Sequence, residues 1–245
     1  MRHPSWLGWL LLALPIASGC TSASRHGSPE ALPRTHAAVD TGRIAVDGGA
    51  LFYEVRGQGP PVVLLHPGGT YDHRIWEPQV EALARGWRTA RYDLRGFGRS
   101  SRPAGPFSPV ADLRRVLEAL DVERASLVGV GMGSGVALNF ALQHPRQVER
   151  LVLAGLGMPP ANVPRAPGAP DLSTPEGRSR LRELDVPILL IVGAADSARG
   201  LHAIPEAIER EIPGVRRVII PGAGELANME RPEAFNQALL AFLAP

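Results

Sequence analysis

The residues able to do chemistry in this 245-residue chain are few, and their types exclude several reactions at once. All 26 basic residues are Arg, so no lysine is available for a Schiff base or for cradling a phosphate. Cys20 is the only cysteine, which excludes an intramolecular disulfide and a multi-thiolate metal site. What remains is a series of polar or glycine-rich positions that each follow an apolar run. His66 follows Val62 to Leu65, and Asp93 and Arg95 close the run from Thr89. Gly129-Val130-Gly131-Met132-Gly133-Ser134 closes the run from Ser126, Asp196 follows Ile188 to Val192, and Glu225 follows Val215 to Ile220. Carboxylates, a histidine, a serine and a glycine-rich turn are the materials of acid–base or nucleophilic catalysis. A dinucleotide-binding turn fits poorly, because the glycines do not fall as Gly-x-Gly-x-x-Gly and the next strand ends in Ala154-Gly155 without an acid for a ribose. No cofactor and no metal site is expected.

These positions need a scaffold, and the pattern between them supplies one. Arg43 to Asp47 and Leu51 to Arg56 read as a hairpin turning at Asp47-Gly48-Gly49. From there apolar runs alternate with stretches whose apolar residues are spaced by three and four. In one, Val110, Leu113, Val116, Leu117 and Leu120 share a helical face, with Ser108 as N-cap and Pro109 in the first turn. Continuous apolar strands alternating with helices predict an α/β fold, a mainly parallel sheet covered by helices on both faces. Ligands of such sheets bind outside the carboxyl ends of the strands, where these positions fall. With 44% hydrophobic residues and a net charge of +2, the chain can bury one sizeable core and carries no basic stripe, so no nucleic-acid partner is expected.

Five motifs in order then carry a specific resemblance. Leu64-Leu65-His66-Pro67-Gly68-Gly69 with Trp76, Tyr92-Asp93-Leu94-Arg95-Gly96-Phe97-Gly98-Arg99-Ser100, Val128-Gly129-Val130-Gly131-Met132-Gly133, Gly193-Ala194-Ala195-Asp196, and Pro221-Gly222-Ala223-Gly224-Glu225 with Glu230-Arg231-Pro232 resemble the successive landmarks of the α/β-hydrolase superfamily. They span nearly all of residues 43 to 243. The resemblance implies the α/β-hydrolase fold and acyl-transfer machinery: a nucleophile on a strand-to-helix turn of form Gly-x-Ser-x-Gly, an acid after a later strand and a histidine after the last. Here the nucleophile position holds Gly131 and the histidine position holds Glu225, leaving Asp196 as the remnant acid. A carboxylate cannot take a proton on one atom while donating from another as imidazole does. The implied oxyanion donors are the backbone amides of Gly68 and Met132.

The substitutes for the missing groups are weak. Ser134 lies almost a turn beyond Gly131, outside the Gly-x-Ser-x-Gly frame, and reads more simply as helix–sheet packing. His66 reads as structural, and His73, His144 and His202 as surface or loop positions. Asp93 and Arg95 read as architecture, solvated or capping. Between Leu156 and Asp185 there is room only for a Pro-, Ala- and Gly-rich loop with a short helix near Pro175 to Leu184, so the cap is reduced and the site is expected to be open and wet. The leading expectation is therefore a disarmed α/β-hydrolase-fold protein, a binding or interaction protein with a small-molecule ligand or protein partner. The alternative is a hydrolase of small ester-like or epoxide-like substrates whose water is activated by Asp196 and Glu225. The simpler reading, preferred to that alternative, has Glu225 facing solvent or pairing with an arginine such as Arg199.

The N-terminus has its own pattern. Met1-Arg2-His3, the apolar run from Trp6 through Ala17 and the small residues after it have the form of a secretory signal peptide, too short for a membrane span of roughly 20 residues. Ala17-Ser18-Gly19-Cys20 resembles the lipobox of bacterial lipoproteins, in which the cysteine is diacylated and becomes the mature N-terminus. The expected organisation is a lipoprotein signal peptide over 1–19, a flexible tether over 20–38 and an α/β-hydrolase-like domain over 39–245. Cys20 would anchor the protein to a membrane of the bacterial cell envelope. Thr21 in place of Asp favours the outer membrane, facing the periplasm, in the sorting rule that resemblance implies. An ordinary signal peptide would instead leave a secreted or periplasmic soluble protein.

Overall fold

A computed structural model describes residues 39–157, 170–172, 174–196 and 203–244. The chain divides into Met1–Thr35, which lies outside the described residues, and His36–Pro245, which contains them. The expected signal peptide, the tether and Cys20 therefore fall outside the description, as do Arg199, His202 and most of the loop between Leu156 and Thr174.

The sheet has eight strands: β1 Asp40–Val46, β2 Gly49–Arg56, β3 Pro61–Leu65, β4 Arg88–Tyr92, β5 Ala125–Val130, β6 Val148–Ala154, β7 Ile188–Gly193 and β8 Arg216–Ile220. Their spatial order is β1-β2-β4-β3-β5-β6-β7-β8. The β1–β2 hairpin and the β2–β4 pair are antiparallel, and every other neighbouring pair is parallel. The helices are α1 Glu77–Leu83, α2 Pro109–Ala119, α3 Met132–Gln143, α4 Pro175–Ser179, α5 Ala203–Glu211, α6 Ala227–Glu230 and α7 Pro232–Leu243. This is the α/β-hydrolase arrangement that the sequence predicts. The Ser108 hydroxyl caps α2 by accepting from Ala111 N at 3.3 Å, with Pro109 in the first turn. The short helix expected near Pro175 is α4, capped by Thr174 and followed by a 3-10 turn over Arg180–Glu183.

Two apolar cores follow from the period-2 alternation of side chains along each strand. Val63, Leu65, Leu127, Leu151, Leu153, Ile188 and Leu190 face one side and pack with α2, α3 and α5 through Leu113, Leu117, Phe140 and Ile208. Val62, Leu64, Val128, Val130, Val152, Leu189 and Ile191 face the other and pack with α1 and α7 through Val80, Phe235 and Leu239. The apolar runs of β5 and β7 are buried along their whole length because both faces are covered. The carboxyl ends of these strands deliver the positions at issue to one edge of the sheet. Among the described residues no helix is long and apolar enough to cross a membrane.

Candidate functional site

The β5–α3 turn is built by close approach. A Cβ at Gly129 would overlap the Ser134 amide, and one at Gly133 would overlap the Leu65 carbonyl. Gly131 sits at the apex with φ 54° and ψ −120°, and its N–H donates to the Ala154 carbonyl at 3.0 Å. The strained turn geometry expected for a nucleophile is thus present on a residue without a side chain.

What surrounds that apex is specific. A Cβ placed on Gly131 would stand 2.9 Å from Pro67 Cβ and 3.4 Å from Glu225 Oε1. Glu225 is an exposed residue on the turn after β8, yet its carboxylate leans over the apex. Its main chain and Cγ press on Gly155, where a Cβ would come within 2.7 Å of the Glu225 carbonyl oxygen and 3.0 Å of Cγ. Glu230 holds the same turn from the other side, accepting from Gly224 N at 2.7 Å and Leu226 N at 3.3 Å. Asp196 is buried on the turn after β7. That turn is stapled to the one leading into Glu225, since Ala194 N donates to Ile220 O at 2.9 Å and Ala195 N to Ala223 O at 2.8 Å. The elbow, Glu225 and the Asp196 turn are thus adjoining features of the same edge. Pro67, Gly155 and Glu230 were not singled out as site residues in the sequence; only the close approaches of the folded chain identify them.

The other residues take structural places. Ser134 is fully buried, and its hydroxyl donates to Ala154 O at 2.7 Å and accepts from Ala154 N at 3.1 Å, tying α3 to β6. Burial pushes the His66 imidazole down to about 4, so it is neutral near pH 7. Leu94 N lies 2.9 Å from its Nε2 and Gly68 N 3.1 Å from its Nδ1. A neutral imidazole has one acceptor nitrogen, so it satisfies one of these amides and not both. The Gly68 amide, one of the two implied oxyanion donors, is directed at His66 here. Met132 opens α3, where a helix amide has no intrahelical acceptor.

Two expectations are corrected. His73 is buried and not a surface residue, with Nδ1 2.7 Å from Asp93 Oδ1. Asp93 also accepts from the backbone of His73 and Arg99, and these donors together hold its carboxyl below the ordinary range although burial opposes them. Asp93 and Arg95 are architecture as expected, but buried and not solvated; Arg95 forms a bidentate pair with Asp112. The reason is that the loop after β4 folds under the β1–β2 hairpin, where Arg95 also reaches the Asp47 carbonyl. His144 ends α3, half-buried, with its ring 4.8 Å from that of Phe140. Asp72, His73 and Asp93 lie close enough to share a cation, but Asp93 already receives three protein donors and Asp72 pairs with Arg74 at 2.6 Å, so the cluster reads as a loop lock. A separate cavity of about 570 Å³ opens at the opposite strand ends, beside Arg150, Arg216 and Phe242.

Comparison with known proteins agrees with this architecture. A family model described as the alpha/beta hydrolase fold matches residues 61–176. A putative carbamate hydrolase, RutD of Caulobacter segnis, is 38% identical over 129 residues, 49% of this chain and 48% of that protein. The chain thus spans about half the length of this relative. Carboxylesterase YbfK of Bacillus subtilis is 27% identical over 75% of this chain and 80% of its own. The solved structure of a hydrolase from Pseudomonas aeruginosa superimposes with a TM-score of 0.72 at 29% identity, covering 84% of this chain and 99% of that one. The chain has the α/β-hydrolase fold.

Proposed function

We propose that this protein uses the strand ends around Gly131 to bind and not to cleave by a serine-hydrolase mechanism. The observation that carries the reading is the apex at Gly131: no attacking atom is present, Pro67 crowds the space its Cβ would need, and Glu225 Oε1 stands 3.4 Å from that point. Removing any member of a Ser-His-Asp triad leaves only the residual catalysis of binding and oxyanion stabilisation. The names of the relatives, a carbamate hydrolase and a carboxylesterase, make carbonyl compounds the first ligands to try. The test is exposure of the purified protein to a fluorophosphonate probe and to short-chain p-nitrophenyl esters. The expected outcome is no stoichiometric labelling and no turnover above a denatured control; stoichiometric labelling sinks the proposal.

A second reading is favoured by the position of Glu225 Oε1 over the apex. Water held there could give a proton to Glu225 as its oxygen joins an acyl carbon, and the proton would then pass to the departing alkoxide. That reading requires ester or epoxide turnover that disappears in Glu225→Gln and Asp196→Asn variants.

We further propose that Cys20 carries lipid and places the domain at the outer membrane of a bacterial envelope, facing the periplasm. The support is the lipobox-like Ala17-Ser18-Gly19-Cys20 and the absence of any other cysteine. Radiolabelled palmitate should enter the protein in a Gram-negative host and be absent from a Cys20→Ser variant. Equal labelling of both would remove the anchor.

A further inference from the structure

We infer that the cavity at the amino ends of β6, β7 and β8 is a second binding site, one for an aliphatic carboxylate, and that Arg150 and Arg216 receive its charge. The site lies at the edge of the sheet opposite Gly131 and is independent of what happens there.

The sheet register brings the two arginines to one place. Val152 of β6 is level with Leu189 of β7, and Leu189 with Arg216 of β8. Side chains two residues apart on a strand share a face, and so do side chains level on neighbouring parallel strands. Arg150, Val152, Leu189 and Arg216 therefore all point to the face that α7 covers. Two strand spacings, about 10 Å, separate the two backbones, with the start of β7 between them. Both arginines line one cavity of about 570 Å³, a size within the range of about 300–1,000 Å³ typical of small-molecule sites.

Neither guanidinium is committed to the fold. Arg217, next in the chain, pairs with Glu209 at 3.1 Å, whereas Arg216 meets no carboxylate among the described residues and lies 6.0 Å from the centre of the Phe242 ring. Glu149 is 3.8 Å from Arg150 but 2.8 Å from Arg124, which holds it more closely. The other contact of Arg150 is the Ala244 carbonyl at 3.5 Å, longer than an ordinary hydrogen bond. Against the two positive charges stand Asp185, the one acid lining the cavity, and about half a negative charge at the end of α7. The excess is positive and small, which suits a singly charged anion.

The walls argue for an aliphatic body. Val186 and Val215 back onto one core of the domain and Phe242 belongs to the other, so the cavity lies where the two cores meet at the foot of β7. Apolar walls with a few placed polar groups are the usual make-up of a small-molecule site, and a guanidinium fork accepts a carboxylate through two parallel hydrogen bonds.

Three probes of nearly equal shape separate charge from apolar burial: octanoate, octanol and octylammonium, each titrated into the full-length protein at pH 7 and followed by calorimetry. Octanoate should bind about tenfold more tightly than octanol, the scale of one charge-assisted hydrogen bond, and octylammonium no more tightly than octanol. Arg216→Gln should bring octanoate to the affinity of octanol without changing the melting temperature, since that side chain makes no hydrogen bond within the described fold. Arg150→Gln should weaken octanoate and not octanol, and Asp185→Asn should tighten octanoate. Arg85→Gln, an exposed arginine outside the cavity, and Glu225→Gln at the opposite edge should leave all three affinities unchanged. Equal binding of octanoate and octanol, tighter binding of octylammonium, a preference that survives Arg216→Gln, or no binding of octanoate overturns the assignment. Loss of octanoate binding in Glu225→Gln would overturn it too, by moving the ligand to the Gly131 edge.

Discussion

At the apex of the elbow, a side chain meets two separate obstacles. A residue other than glycine held at φ 54° and ψ −120° carries strain of about 1–3 kcal/mol, and Pro67 Cβ would stand 2.9 Å from its Cβ. Gly131→Ser should therefore lower stability by about that amount in denaturant melts. Pairing it with Glu225→His restores both missing side-chain types but leaves Pro67 against the new serine. The double variant is expected to remain unlabelled by a fluorophosphonate, and addition of Pro67→Gly to permit labelling and ester turnover. Full activity in the double variant would show that Pro67 yields freely. The chemical types at 131 and 225 are legible in sequence because they depart from a motif with fixed spacing. The obstruction by Pro67 is not, since it arises between residues 64 positions apart.

The elements around the elbow are held by bonds that also settle which serine matters. Ser134 makes a reciprocal pair with Ala154, joining the first turn of α3 to the end of β6. Its hydroxyl is therefore committed to the scaffold, which gives the packing role expected from its place in the helix a specific form. Ser134→Ala would remove both of these hydrogen bonds from a buried site, at a cost of about 1–3 kcal/mol. The midpoint of chemical denaturation should fall accordingly, with any ligand binding by the remaining folded protein unchanged. The strands and α2 could be read in advance because their apolar periods are long and their caps are local. The burial of His73 and Arg95 could not, because each depends on a loop meeting a distant element: His73 meets Asp93, and Arg95 meets Asp112 and the hairpin turn.

At the scale of the molecule, buried polar groups make stability depend on pH. His66 is pushed down to about 4 by burial, below its ordinary 6.5, so unfolding takes up a proton between these values. Its contribution is fully present above pH 6.5 and declines as pH falls toward 4, approaching about 1.4 kcal/mol per pH unit inside the window. Between pH 6.5 and 5, before most carboxylates protonate, His66→Asn should flatten the pH dependence of the unfolding free energy. An unchanged slope would mean that His66 is not the group responsible. The charged interior has the same tertiary origin: Arg91 of β4 is buried between Glu54 and Glu77, each 2.6 Å from its Nη2.

The sequence by itself determined the layered α/β architecture, the order of its strands along the chain, the empty nucleophile position at Gly131 and the exchange of histidine for Glu225. Those properties reside in local periodicity and in motifs of fixed spacing. Only the tertiary structure decided that Glu225 leans over the elbow, that Pro67 crowds it, and that Gly155 and Glu230 pack against and bond the turn that carries Glu225. Contacts among residues 67, 131, 155, 225 and 230 exist only once parallel strands bring their carboxyl ends to one edge, and no local pattern records how closely those ends approach.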